Sequence, residues 1–293
     1  MPLEQAVGLA TDIAILSLLA LSAYLVLLVG RISFGQQAYF ALGAYASGMA
    51  STLAGWALAP SLLLGAAVGA VASGLLAWPT LRLSGLNYAV ATLALAEMMR
   101  IALMRLHFTR EVDGYTVGPQ GAEGFRDIRW LLENDVSSGA FLLLCLAVLA
   151  AALLVLAWLR PRRLGLALRQ VGHDEVLAAS QGLPVLRLQL LAVAAAGALA
   201  ALGGGLYAHR ATYIEPALFD PMLGVHAVGY ALIGGLGTAL GPLLGVMFDI
   251  GLLEATKVFA GWRMVVFGGL VALFLRFRPR GLLDEATVHR IGA

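Results

Sequence analysis

"RRLGLALRQVGHDEVLAASQGL", Arg162 to Leu183, lies between two stretches of nearly unbroken Leu, Ala and Val. From Arg160 to Arg187 the chain places five Arg and two acids, Asp174 and Glu175. At about 3 kcal/mol for each charge at a bilayer centre, burying this segment in lipid would cost on the order of 20 kcal/mol, so it has to leave any membrane its flanks enter. A plain connector between helices needs only about two to eight residues. This one is far longer and keeps helical content: Gly172 to Gly182 reads as a short helix started near Asp174 and ended at Gly182, with Pro184 beyond. A small amphipathic helix is thereby offered to the cytoplasm. The spacing alone fits a solvated or lipid-surface connector equally well.

The composition shows what the flanks are. Of 293 residues, 60% are hydrophobic and 12% charged, against about a quarter charged in soluble chains. This is an integral membrane protein, and its surrounding partner is lipid. A net charge of +2, with basic residues set in loops rather than in a stripe, argues against nucleic acid as a partner. The one cysteine, Cys145, lies in an apolar run; it excludes an intrachain disulfide and is expected to be a buried structural thiol. The start, "MPLEQAVGLATDIA", has no basic region before its apolar run and carries Glu4, so no cleaved signal peptide is expected.

Runs of about twenty apolar residues, enough to span a hydrocarbon core, fall near 8–29, 36–54, 62–80, 84–104, 139–159 and 188–208. Three shorter ones, interrupted by Gly and Pro, follow near 221–236, 240–256 and 262–276. The expectation is an all-α integral membrane fold of about nine transmembrane helices, within eight to ten. One polytopic domain covers 1–276, with a cytoplasmic loop at 160–187 and an extracytoplasmic loop at 105–138, and a short tail follows at 277–293. With the N-terminus outside, eleven basic residues fall inside and seven outside, the direction the positive-inside rule requires. An arrangement of eight or ten spans with the N-terminus inside stays open.

Within the spans, glycine spacing carries the information. Gly237, Gly241 and Gly245 recur every four residues and Asp249 extends the series, placing all four on one helix face where another backbone can pack closely. An ionisable group there needs the bundle interior, water or a partner, so Asp249 reads either as a pathway residue or as half of a structural pair. Pro242 marks a helix start or break. Gly35, Tyr39, Gly43 and Ser47 keep the same step in the second span, which would set two glycine faces on either side of a central route with Gln36, Gln37 and Tyr39 as its polar groups. Glu97 with Arg100, and Glu254 with Lys257, have the spacing of ion pairs on one helix. His226 has no second ligand at metal spacing, and His173 and His209 read as loop residues aligned with no nucleophile.

The opening segment resembles the cytoplasmic coupling loop of ABC importer permeases, a pattern of Glu, then an Ala-Ala pair, then Gly. Here these are Glu175, Ala178 with Ala179, and Gly182, with Leu177 in place of the first Ala. Around it, "RISFGQQAYFALGAYASGM" (31–49), "NYAVATLALAEMMR" (87–100), "GGGLYAHRATYIEPALF" (203–219), "ALIGGLGTALGPLLG" (231–245) and "RFRPRGLL" (276–283) are similar, in order, to the branched-chain amino acid permease family and its LivM-type subunit. "YTVGPQGAEGF" (115–125) keeps the family's Thr-Gly-Gly-then-Gly pattern only loosely, which bears on substrate more than on fold.

The resemblance implies a noncatalytic, multi-pass subunit of the bacterial inner membrane. It would pair with a second, different permease subunit, two cytoplasmic ATPase subunits and a periplasmic substrate-binding protein, for which the loop at 105–138 is long enough to offer a surface. ATP and Mg would be held by the ATPases; this chain has no G-x-x-x-x-G-K-[ST] phosphate loop and needs no cofactor of its own. It implies too that Gly165, Asp174, Glu175, Ala178, Ala179 and Gly182 form the handle gripped by an ATPase, with Glu175 anchoring or capping the helix and the small residues admitting the ATPase surface. Branched-chain or other hydrophobic amino acids are the implied substrates, with amides, urea, sugars or nucleosides as related possibilities. The rival reading is an ion-coupled secondary transporter using Asp249 and Glu97, which would have no need of such a handle.

Overall fold

The computed structural model describes residues 3–112 and 115–255 and, beyond them, positions 265, 268, 269, 272 and 276. Apolar runs become helices because a helix satisfies its own backbone hydrogen bonds where no water can. In order these are α1 (Leu3–Leu28), α2 (Gln36–Leu53), α3 (Leu58–Thr80) and α4 (Gly85–Met104), then strands β1 (Arg110–Val112), β2 (Tyr115–Pro119) and β3 (Phe125–Arg126). Next come α5 (Trp130–Glu133), α6 (Ser138–Leu159), α7 (Arg163–His173), α8 (Glu175–Ser180), α9 (Val185–Ala211), α10 (Pro221–Gly234) and α11 (Leu240–Ala255).

Five of these, α1, α3, α4, α6 and α9, are long and apolar enough to cross a membrane. The spans expected near 36–54, 221–236 and 240–256 are the shorter helices α2, α10 and α11. The ninth, at 262–276, lies outside the described residues but for those five positions, as do the tail and Lys257 of the Glu254–Lys257 pair.

The helices α2, α3 and α9 form the centre, and small residues decide how closely they pack. A Cβ added at Gly43 of α2 would stand 2.1 Å from the Ala201 carbonyl oxygen of α9, and one at Gly69 of α3 would stand 2.5 Å from that of Gly197. At such a separation only glycine fits, and backbone meets backbone. Around this seam, Leu18, Leu19, Phe40, Tyr45, Leu206 and Phe219 fill the main core. Cys145 is buried there as a free thiol. By contrast α6, the most apolar span, and α3 leave most of their residues incompletely buried in the single chain.

Residues 105–138 correct the all-helical expectation. They fold a three-stranded antiparallel sheet in the order β1-β2-β3, which docks on the bundle rather than projecting as a solvated hairpin. Phe125 and Ile214 exchange backbone hydrogen bonds, 2.7 Å from the Phe125 amide and 3.0 Å from that of Ile214. Phe125 and Ile128 close over Gly48 of α2. The Tyr213 hydroxyl donates to a Glu215 carboxylate oxygen at 3.0 Å; burial and then that carboxylate raise the phenol above its ordinary value.

From this sheet the chain turns back along α2. Phe219 packs tilted or edge-on among Phe40, Tyr45 and Tyr207, and Gly224 of α10 lies against Gln37 and Phe34 at the other end of α2. Between Ile214 and the start of α10 at Pro221 the backbone thus runs beside α2 with a 3-10 turn, Pro216–Phe219, for regular structure. Asp220 restarts the helix, its carboxylate accepting from the Leu223 amide at 3.1 Å.

Candidate functional site

The charged segment folds as an elbow of two helices, α7 and α8, at the end of the bundle opposite the sheet. Asp174 stands between them. Its Oδ1 accepts from the amides of Val176 and Leu177, both at 2.9 Å, two of the donors that a helix start leaves open. Gly182 follows α8 with φ +82, a left-handed conformation that stops the helix at little cost only for glycine. The expected start and stop are therefore where the sequence put them, and α7 is an additional helix not separated out in the sequence.

The handle residues divide in an unexpected way. Gly165 is buried, and a Cβ there would meet the Leu159 carbonyl oxygen at 2.2 Å, so it seats α7 on the end of α6. Gly172 seats the far end of α7 on α1, where a Cβ would lie 2.1 Å from the Leu28 carbonyl oxygen. Ala178 is turned inward, 2% exposed, among Val29, Leu168, Val171, Leu188 and Ala192. Ala178 thus packs on its own domain, and Gly182 has a backbone angle that itself favours glycine. What faces outward is Val176, 79% exposed, with Leu177 and Ala179. The sequence pattern did not single out Val176 or Leu177.

Nor is Glu175 the cap; Asp174 is. Glu175 Oε2 receives Arg31 Nη2 at 3.1 Å and its Oε1 receives Gln189 Nε2 at 2.9 Å. Arg31, from the α1–α2 turn, also donates Nη1 to the Leu83 carbonyl at 2.7 Å and places its guanidinium carbon 5.7 Å from the Tyr88 ring centroid on α4. Arg31 was legible only as an inside-loop charge, and Gln189 and Tyr88 carried no signal, because their partners are far away in sequence.

The two glycine stripes do not face each other across a route. Gly43 is closed by α9, as above, while Gly35 is the residue before α2 and lies against Thr92 of α4. Gln36 is fully buried and its Oε1 accepts from Ser22 Oγ at 3.1 Å; Tyr39 is buried too. Gly237 falls in the α10–α11 turn, outside either helix, so the second stripe begins at Gly241. Gly241 and Gly245 pack on the α10 backbone at Gly235 and Tyr230, and the buried Asp249 accepts from the Tyr230 hydroxyl at 2.9 Å. Both stripes are packing seams. His209, expected in a loop, is instead buried in the last turn of α9, with Nε2 3.0 Å from Ser51 Oγ, and His173 ends α7.

Among the described residues, charge inside the spans forms ion pairs: Arg210 of α9 with Asp12 of α1, and a pair on α4. Arg100 and Glu97 of α4 form a bidentate pair, Nε–Oε2 at 2.8 Å and Nη2–Oε1 at 2.5 Å, with the carboxylate side chain 35% exposed. Asp220, exposed, starts α10, which packs on α4. Around them α4 exposes Met98 and Ile101. The exposed faces of α3 and α6 carry no charge at all. Lipid covers an apolar face readily and a charged one only at several kcal/mol, so the α4–α10 face is built to meet protein or water.

Comparison with known proteins agrees with this architecture. Residues 5–275 match the family model described as branched-chain amino acid transport system, permease component. The high-affinity branched-chain amino acid transport system permease protein LivM of Salmonella typhimurium is 28% identical over 94% of this chain and 69% of its own length, and LivM of Escherichia coli gives the same figures. The high-affinity branched-chain amino acid transport system permease protein BraD of Pseudomonas aeruginosa is 31% identical over 44% of this chain and 42% of its own. No solved structure matches.

Proposed function

The chain belongs to the branched-chain amino acid transport system permease family, and from that premise we propose that it is a membrane-spanning, noncatalytic subunit of an ATP-driven importer in the bacterial inner membrane. Its cargo is a branched-chain or similarly hydrophobic amino acid. The observation that carries the reading is the α7–α8 elbow. One side of α8 is fixed to its own domain through Ala178 and Glu175, while the other holds out Val176 and Leu177. An apolar face held rigidly outside the bundle suits a partner that pulls on it, and that partner is a cytoplasmic ATPase subunit, which supplies the ATP and Mg chemistry.

The charged α4–α10 face is the side on which a second permease subunit and the aqueous route belong, since the faces of α3 and α6 suit lipid. The sheet at the opposite end offers a surface to a periplasmic binding protein. An ion-coupled transporter is less well supported, because Asp249 is bonded by Tyr230 and Glu97 by Arg100.

The test is copurification of the chain, in detergent, from membranes holding the whole system. Wild type is expected to bring down ATPase subunits, and Val176→Asp to lower their recovery about ten-fold, as for a central interface contact, with membrane insertion unchanged. Equal recovery, or a wild-type chain that purifies alone and transports on an ion gradient, would overturn the reading.

A further inference from the structure

We propose that Arg31 is the positioning residue that carries movement of the α7–α8 elbow to α4. This rests on the importer reading above and concerns how the elbow is connected inward. Among the described residues no hydrogen bond or ion pair joins α8 to α4 directly. One guanidinium bridges them: Nη2 to Glu175 on α8, Nη1 to the Leu83 carbonyl in the α3–α4 turn, and its face toward Tyr88 in the first turn of α4. The Arg31 side chain is 8% exposed and the Tyr88 residue 1%, so neither can swing to a solvent partner without leaving buried polar or aromatic surface unsatisfied.

The geometry needs arginine and not merely a positive charge. Two separate nitrogens of one rigid plane hold two segments at once, so displacing Glu175 turns the plane and draws on Leu83 and Tyr88 together. Lysine offers a single compact ammonium on a flexible stem and cannot hold both. Glu175 is itself steadied by Gln189 of α9 at 2.9 Å, which fixes the direction from which it meets Arg31. The helix reached in this way is the one that carries Glu97 and Arg100 on the charged face. The relay therefore links the surface offered to the ATPase with the surface offered to the route.

The experiment uses the whole importer in proteoliposomes, measuring leucine imported per ATP hydrolysed for wild type, Arg31→Lys, Arg31→Gln and the double variant Arg31→Gln with Glu175→Gln. The amount of assembled complex is measured alongside. Arg31→Lys and Arg31→Gln are expected to keep ATPase subunits bound and hydrolysing while import per ATP falls about ten-fold, within the span of couplings between distant sites. The double variant should be no worse than Arg31→Gln alone, because that substitution has already broken the link to Glu175.

Unchanged import per ATP in both single variants would overturn the relay while leaving the importer reading intact. So would import and hydrolysis that fall together with the amount of complex, which is the mark of a merely structural role. A wild-type chain without ATPase subunits would overturn the importer reading, and the relay with it.

Discussion

Substituting Gly172 by Ala puts a methyl where backbone already stands. Its Cβ would lie 2.1 Å from the Leu28 carbonyl oxygen and 3.1 Å from the Gly30 amide nitrogen, whereas ordinary contact starts at 3.4 Å. In an open helix the change would favour α7 by about 1 kcal/mol through propensity. Here the methyl must push α7 roughly 1.3 Å off α1, a figure from the contact distances above, or else overpack at a cost of about 1–3 kcal/mol. Displacement moves Glu175, three residues on, by a similar amount, which takes its 3.1 Å contact with Arg31 beyond hydrogen-bonding range. The expected result is a fall of a few degrees in thermal midpoint in detergent, at roughly 2–4 °C per kcal/mol, together with a loss of import per ATP. Gly182→Ala provides the contrast: it strains a φ of +82 but meets nothing within 4 Å, so it should weaken α8 without moving the elbow. A Gly172→Ala variant as stable and as well coupled as wild type would refute the claim that backbone contact seats α7 on α1.

Two further outcomes follow from the same geometry. Tyr230→Phe removes the hydroxyl that donates to the buried Asp249, so detergent stability should fall by about 1–3 kcal/mol while the import rate per folded complex holds. A lost rate with stability unchanged would return Asp249 to the transport route. In a Cys145→Ala background, a cysteine at Met98 of α4 in the assembled importer should react with a membrane-impermeant thiol reagent, and one at Leu154 of α6 should not, although both positions are exposed in the single chain. Equal protection of both would show that Met98 lies against lipid or the second subunit and not in the aqueous route.

Features set by near neighbours in the chain could be read from the sequence. Apolar run lengths located α1, α4, α6 and α9, because a membrane-spanning helix is defined by its own residues. Asp174 and Gly182 marked the ends of α8, because a cap bonds to amides two and three positions away and a helix stop is a property of one φ. Features depending on distant partners were hidden. Four-residue glycine spacing identified surfaces of close approach, yet nothing local tells that Gly43 meets Ala201 or that Gly245 meets Tyr230. Gly237 kept the spacing while sitting in a turn, which shows that periodicity cannot say where a helix starts. Arg31 looked like any inside-loop charge, because its partner Glu175 is 144 positions away.

The glycine seam between α2, α3 and α9 has a mechanical consequence. Where backbones touch, as at Gly43 with Ala201 and Gly69 with Gly197, no side chain is present to change rotamer and absorb displacement, and close-packed interiors yield little. These three helices therefore behave as a stator. Any stroke driven from the elbow has to be taken up by elements outside that block, and α4 is the one that the Arg31 bridge reaches.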